Sequence, residues 1–300
     1  MKGSWHIVPR AVAGVCLVLI LAGYLGRLHP VGDTIAVFRL YFAGPLIVLG
    51  AAMLYFGQRQ AGGLNLVVGL GVVATAGILP VIDQDAAALD GAGPVVTHYQ
   101  KNLQFHNDDP SEVLDDVRAR KPDIITFQEA KGRSANILDE LARDYPAHVH
   151  CADGVGIAAY ARWPMIEGTA FCDGQLGGMQ VEGPDGPLWV LTVHLRWVYP
   201  YPNARQVEAM APKLAALEGP KAVGGDFNVV PWAESVDVFA RAADVRRVGR
   251  SFVTFAAVGG LLRVQIDHVL ASGAAGVTER LPRLGSDHWG VWARYTFSDD

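Results

Sequence analysis

Acidic, amide and imidazole side chains recur at six places in this sequence: Asn102, Gln128-Glu129, His194, Gly225-Asp226-Phe227-Asn228, Asp267-His268 and Ser286-Asp287-His288. Carboxylate and amide oxygens are the ligands that hard divalent cations select. An imidazole beside a carboxylate has a fixed tautomer and a favoured charged form, which suits it to move a proton or to stabilise an anion. Each residue alone has an ordinary explanation. A Glu after a strand is a solvated edge or a helix cap, Gly-Asp-x-Asn is a turn, and a His at a strand end is commonly a structural hydrogen-bonder. Six such features at strand ends, where loop-borne chemistry is presented, are a different matter.

The elements that must position them are short apolar runs alternating with helical patterns. Val95–Tyr99 reads as a strand leading to Asn102, and Asp123–Phe127 as a buried strand ending at Gln128-Glu129. Val155–Tyr160 and Met179–Val181 are further strands. The turn Pro184-Asp185-Gly186 opens the long strand Leu188–Leu195, which carries His194. Lys221–Gly224 runs into Gly225-Asp226, Val264–Leu270 holds Asp267, and Trp289–Thr296 follows His288. Between them, Asp109-Pro110-Ser111-Glu112 reads as a helix start with an Asp cap, Pro in the first turn and Glu closing a capping box. Val113, Leu114 and Val117 give that helix an apolar face. Ile137, Leu138 and Leu141 mark a second helix, and Asn203–Leu217 a third. Hairpins mixed with strand–helix units predict an α/β fold of mixed sheets with helices packed outside.

The 300-residue chain is uneven. Residues 1–90 hold five of the 25 Lys/Arg and four of the 30 Asp/Glu. The remainder, with 20 basic and 26 acidic residues, has a net charge of −6, which argues against a broad basic surface for gripping duplex nucleic acid. Three early stretches, Ala11–Gly26, Leu40–Gln58 and Gln60–Ile82, are free of charge. Crossing ~30 Å of hydrocarbon takes about 20 apolar residues. These stretches predict a membrane anchor of three transmembrane helices over residues 1–82, a linker over 83–94, and one polar domain over 95–300. The first stretch is short, with Arg10 and Arg27 placed to snorkel and Trp5 suited to the interface. A cleaved signal peptide is its other reading, but no small-x-small site follows and two more apolar stretches come after it. Gly44-Pro45 predicts a kink in the second. Lys2, Arg10 and Arg59 share one side, Arg27 and Arg39 the other. The positive-inside rule then puts the N-terminus in the cytoplasm and residues 91–300 outside it, as in a multi-pass inner-membrane protein.

In this order and setting the six motifs resemble those of the endonuclease/exonuclease/phosphatase superfamily. That group includes DNase I-like nucleases, abasic-site endonucleases, neutral sphingomyelinases and inositol-polyphosphate 5-phosphatases. Gly225-Asp226-Phe227-Asn228 and Ser286-Asp287-His288 are the most specific parts. Ala161-Arg162-Trp163-Pro164 and Thr254-Phe255 are weaker echoes, and the likeness runs from about Val95 to Phe297. It implies a DNase I-like two-sheet α/β sandwich, and the anchor resembles that of a bacterial membrane-anchored subgroup. It implies a phosphoester hydrolase using Mg²⁺ or Mn²⁺, with Glu129, Asn102 and Asp287 as the metal site. Asp226 would orient or deprotonate the attacking water, and Asn228 would hold it and touch the phosphate. Asp267 and His288 would form the pair that stabilises phosphorane-like charge, with His194 as a second donor. His268 points the other way in an extended strand and reads as structural.

The expected partners are a phosphoester substrate (nucleic acid, phospholipid or small molecule) and the lipid bilayer, with no obligatory protein partner. The run Arg196-Trp197-Val198-Tyr199-Pro200-Tyr201-Pro202 reads either as a substrate lip, with Arg196, Trp197 and Tyr199 meeting phosphate and apolar groups, or as a surface loop stiffened by its prolines. Arg246, Arg247 and Arg250 read as a solvated helix end. Cys16 reads as packed within a span, while Cys151 and Cys172 are a candidate disulfide in an oxidising compartment. The rival reading is a catalytically inactive, membrane-tethered scaffold. A transporter fits less well, since the apolar stretches hold no acidic residue.

Overall fold

The computed structural model describes residues 7–91 and 93–297, so Lys2 and Trp5 lie outside the described residues. The N-terminal part is helical: α1 Ile7–Ala22, α2 Val31–Val37, α3 Arg39–Tyr55 and α4 Arg59–Val72, which continues through a π-helical stretch, Val73–Ile78, into α5 Leu79–Ile82. Ala13, Cys16, Ile20, Ala43, Leu46, Met53 and Val72 form its core. Helices α3 and α4 cross so closely that a Cβ on Gly62 would lie 2.8 Å from the Gly50 carbonyl oxygen. Outward-facing Val12, Val15, Val18, Val48, Val67 and Leu70 are exposed. Arg10 Nε donates to Gln58 Oε1 at 2.9 Å, placing the start of α1 beside the α3–α4 turn.

The expectation of three transmembrane helices is not met in that form. Among the described residues one stretch, Arg59–Asp90, is long and apolar enough to cross a membrane; α2 and α3, bent by 60°, make a second only if taken as one span. The described part of α1 has 16 residues, about 24 Å at ~1.5 Å per residue. It stops at Ala22 because the chain turns from Gly23 to Pro30 to enter α2.

In chain order the strands are β1 Val96–Asn102, β2 Ile124–Gln128, β3 Ala147–Cys151, β4 Ile157–Ala161, β5 Phe171–Asp173, β6 Leu176–Gly183, β7 Gly186–His194, β8 Lys221–Asp226, β9 Arg246–Arg247, β10 Phe255–Ala257, β11 Leu262–Val264, β12 Asp267–Ala271, β13 Ala275–Arg280 and β14 Val291–Thr296. They form two six-stranded sheets, β13-β14-β1-β2-β4-β3 and β5-β6-β7-β8-β12-β9, plus the hairpin β10–β11. The sheets face each other over Val96, Ile124, Ala159, Val190, Ala222 and Val269. Helices α6 Ser111–Arg120 and α7 Leu138–Asp144 cover the outer face of the first sheet. Helices α8 Asn203–Ala216 and α9 Glu234–Ala243 cover the second. This is the expected two-sheet α/β sandwich.

Several local expectations change. The predicted strand Val264–Leu270 is two elements, because Thr254 Oγ1 accepts the Ile266 and Asp267 N–H groups, both at 3.1 Å, between β11 and β12. At α6, Asp109 Oδ1 accepts the Ser111 N–H at 3.1 Å, but the capping box does not close: the Asp109 N–H goes to Asn107 Oδ1 at 3.0 Å. Arg246 and Arg247 are not a helix end. They form β9, and Arg247 reaches Asp83 at 2.7 Å. Cys151 and Cys172 are bonded, joining the edge strands β3 and β5 of opposite sheets.

The helical part is built into the sandwich. Ala36 and Val37 of α2 are buried in the same core as Val207, Phe227, Val236 and Phe239. Asp33, 3% exposed, accepts the Glu234 and Ser235 N–H groups at 2.9 and 3.0 Å, capping α9 from two hundred residues away. Trp232 Nε1 donates to the Ala36 carbonyl at 3.0 Å. The linker segment is also held: the Asp85 N–H reaches Gly276 O at 3.0 Å, and Gln84 pairs with both backbone groups of Thr278.

Two predictions follow from this packing. Asp33→Ala removes the cap on α9 and lowers the unfolding free energy of the whole chain in detergent by about 1–2 kcal/mol, read by urea denaturation. The second concerns two histidines buried in the sandwich. His98 bonds Thr126 Oγ1 at 2.9 Å and His268 bonds Val229 O at 3.0 Å. Burial lowers their pKa values to about 3 and about 4. The unfolded chain takes up these protons near pH 6.5 and the folded chain does not, so stability is full above that pH. It falls as pH drops toward 4, by roughly 1.4 kcal/mol per unit for each histidine. His98→Gln flattens that dependence by about one proton.

Candidate active site

Strand register assembles the site. His194 closes β7 and Asp226 closes β8; these strands are parallel, with His194 opposite Asp226. Strand β12 runs antiparallel to β8 with Asp267 opposite Asp226. Three side chains are thereby ranked across one sheet on the same face. In the other sheet, parallel β1 and β2 put Asn102 opposite Gln128, and Glu129 follows with φ +52°. Asn228, two residues past Asp226, also has a positive φ, +51°. Left-handed backbone at non-glycine residues stores strain, and both instances here flank the cleft.

Polar groups then cross between the sheets. Asn102 Nδ2 donates to Asp226 Oδ2 at 3.0 Å and to Glu129 Oε1 at 3.1 Å. Gln100 Nε2 donates to Asp267 Oδ1 at 2.9 Å, and Gln128 Nε2 to Thr192 Oγ1 at 3.2 Å. His288 Nδ1 pairs with Asp267 Oδ2 at 2.8 Å, which leaves its Nε2 directed toward Asp226 Oδ2, 3.9 Å away. His194 Nε2 is 3.5 Å from the same oxygen. Asp226 Oδ1 accepts the Asn228 N–H at 2.9 Å.

Electrostatics sets the charge states. Burial would raise the Asp226 carboxyl, but His288, His194 and the Asn228 N–H outweigh it and hold its pKa below the ordinary value. Burial would lower His288, yet Asp267 and Asp226 raise it to about 9. The proton of this buried pair therefore stays on the imidazole at neutral pH. Asp226, Asp267 and His288 bring ligand atoms within 4.8 Å of one another.

A cleft of about 470 Å³ opens over these groups, lined by Glu129, His194, Arg196, Trp197, Asp226, Asn228, Phe255, Asp287 and His288. A larger cavity, about 670 Å³, lies under the Gly26–Pro30 loop; in its wall Asp33 takes the α9 amides and Glu234 pairs with Arg241 at 2.9 Å. Glu129 and Asp287 place carboxylates in the cleft wall, the donor chemistry that Mg²⁺ or Mn²⁺ selects, so these residues fit such an ion. Asn102, the third expected ligand, stands beside Glu129 and Asp226. Its amide nitrogen faces the two carboxylates and its Oδ1 accepts the Gln104 N–H at 2.9 Å, so it ties the sheets together. Tyr199 is not in the cleft; its ring packs edge-on against His29, centroids 5.6 Å apart. His268 is buried away from the cleft on Val229.

Two further residues hold these groups in place. Lys101, fully buried, donates to Pro282 O at 3.0 Å and His288 O at 3.3 Å, fixing the loop that presents Asp287 and His288. Burial lowers its pKa to about 8 against the pull of Asp267, Asp116 and Asp287. Ser286 Oγ donates to Asn102 O at 2.8 Å and accepts the His288 N–H at 3.0 Å.

This fold is shared with solved structures. D. rerio TDP2, crystallised with a single-strand DNA product, superposes with a TM-score of 0.57 at 17% identity over 67% of this chain and 99% of its own. The beta toxin of Staphylococcus aureus, crystallised with bound magnesium ions, gives 0.52 at 12% identity over 68% and 100%. Sphingomyelinase C of Streptomyces griseocarneus gives 0.51 at 16% identity over 67% and 99%. No curated protein matches the sequence significantly. The model of the Endonuclease/Exonuclease/phosphatase family matches residues 100–288, from the start of the Gln100–Asn102 strand end to the final His288. With nearly two-thirds of its length matched, and the matched span bounding the assembled cleft, the chain belongs to the endonuclease/exonuclease/phosphatase family.

Proposed function

We propose that this family member is a membrane-anchored, divalent-metal-dependent phosphoester hydrolase in which water attacks phosphorus in line with the leaving group. The observation that carries the reading is the Asp226 carboxylate, 1% exposed yet held ionised at the base of the cleft by His194, His288, Asn102 and Asn228. When bound, Mg²⁺ or Mn²⁺ would offset charge on the phosphoester oxygens, with Glu129 and Asp287 as its protein ligands. Asp226, kept below the usual carboxylate range, is a weak base and a strong acceptor, so its task is to aim the water. Asn228 supplies an amide donor at the same spot. His288, charged at neutral pH, points Nε2 at the pocket to donate to phosphoryl oxygen, while Asp267 keeps its other nitrogen engaged. His194 is the second donor, and Arg196 and Trp197 meet the substrate at the mouth.

The apolar helices support the anchor, and the Cys151–Cys172 bond supports a catalytic domain outside the cytoplasm. Among substrates, the −6 charge of residues 91–300 disfavours long duplex nucleic acid. Single-strand DNA is the product bound to the D. rerio protein, and the Streptomyces relative is a sphingomyelinase.

The test uses the whole chain, because α2 supplies core residues that a piece starting at residue 91 would lack. With Mg²⁺, the protein in detergent hydrolyses bis-p-nitrophenyl phosphate, and Asp226→Asn lowers kcat by about 10²–10⁴-fold without loss of fold. Turnover that persists in EDTA and in this variant overturns the mechanism. Mg²⁺ at about a hundred times its Kd stabilises the protein by about 2.7 kcal/mol, seen as a rise in Tm, and Glu129→Gln abolishes the rise. An inactive scaffold that has lost its ion shows no such rise.

A further inference from the structure

Both walls of the cleft are fastened, at their outer ends, to the segment where α1 leaves the apolar bundle and α3 enters it. One wall is the loop after β7. Arg196 and Trp197 face the cleft, and three residues later the chain turns outward, with Tyr199 O accepting Thr34 Oγ1 at 2.9 Å. The other wall is the β10–β11 hairpin. Phe255 packs on His288 and Trp197, with ring centroids 4.9 and 5.8 Å apart. At the far end, the Tyr41 hydroxyl lies 3.1 Å from Leu261 O and accepts the Arg263 N–H at 2.6 Å. The hairpin tip presents Val258 and Leu261, 71% and 77% exposed, and beside its Tyr41 tether Phe38 is also exposed. Phe38 and Tyr41 lie together where α3 begins, ring centroids 6.2 Å apart, so the exposed hairpin tip adjoins the helical part. Exposed apolar and aromatic groups beside apolar helices belong at headgroup level rather than in water.

We infer that the cleft opens onto the bilayer surface and that the substrate is a phosphoester of a membrane lipid, reached without leaving the membrane; this rests on the hydrolase reading above. In the reaction the water oxygen bonds to phosphorus and the P–O bond to the leaving alcohol breaks. One water proton ends on that alcohol and the other is released from the new phosphomonoester. The Val258 and Leu261 side chains seat the hairpin in the interface, holding the mouth against the headgroups.

The experiment reconstitutes the full chain in vesicles of phosphatidylcholine, phosphatidylglycerol and sphingomyelin in equal parts, with Mg²⁺. Phosphomonoester formation is followed by ³¹P NMR, beside turnover of bis-p-nitrophenyl phosphate in the same sample. The expected result is lipid hydrolysis that falls at least about tenfold in Val258→Asp/Leu261→Asp while turnover of the soluble ester is unchanged. Unchanged soluble turnover also certifies the fold of the variant. Equal loss on both substrates, or no loss on lipid, overturns the inference. Hydrolysis of the soluble ester with all three lipids intact overturns it and leaves the hydrolase standing. No hydrolysis of any ester overturns the hydrolase itself.

Discussion

The two sheets meet at one carboxylate oxygen, Asp226 Oδ2, and the site depends on keeping it ionised out of water. A buried charge costs several kcal/mol unless donors replace the lost solvent. Asn102 donates from the facing sheet and Asn228 from its own turn, His194 stands close on the neighbouring strand, and His288 on the last loop adds its charge from 3.9 Å. The approach of the sheets is itself demanding. A Cβ on Gly224 would strike Thr126 of the facing sheet and lie 2.7 Å from His98 Nε2. The missing side chain there lets the sheets come close enough for Asn102 to reach across.

Much of this was legible in the sequence, for reasons that differ by residue. The β2 and β8 strands read as apolar runs because they are buried on both faces, and the residues at their ends stand out against them. Their convergence followed from a motif order that resembled a family, since spacing alone does not fix a strand register. Strand β3 was missed although Ala147-His148-Val149-His150-Cys151 alternates in burial, because its outward histidines hide the pattern. Strand β1 was cut short at Tyr99 because Gln100, Lys101 and Asn102 look solvated. In the structure they are buried and paired with groups 124 to 187 residues away. No local pattern marks a polar residue whose partner is that distant.

The helical part misled in an instructive way. Counting uncharged runs predicts three spans, but span length is set by where the backbone turns: α1 ends at Ala22, and α3 has 17 residues. Helix α2, seven residues between two apolar runs, looks like the edge of one of them. Its Ala36 and Val37 instead complete the core beneath α8 and α9, and its Asp33 serves a helix in the other part of the chain.

That arrangement constrains biosynthesis. As the chain leaves the ribosome, α2 emerges about two hundred residues before Glu234 and Ser235, the amides that Asp33 must satisfy. Contacts so far apart in sequence form late. The apolar helices are therefore made, and free to find their environment, before the sandwich can close around α2. The cleft is therefore completed only in a molecule whose helical part has already been made.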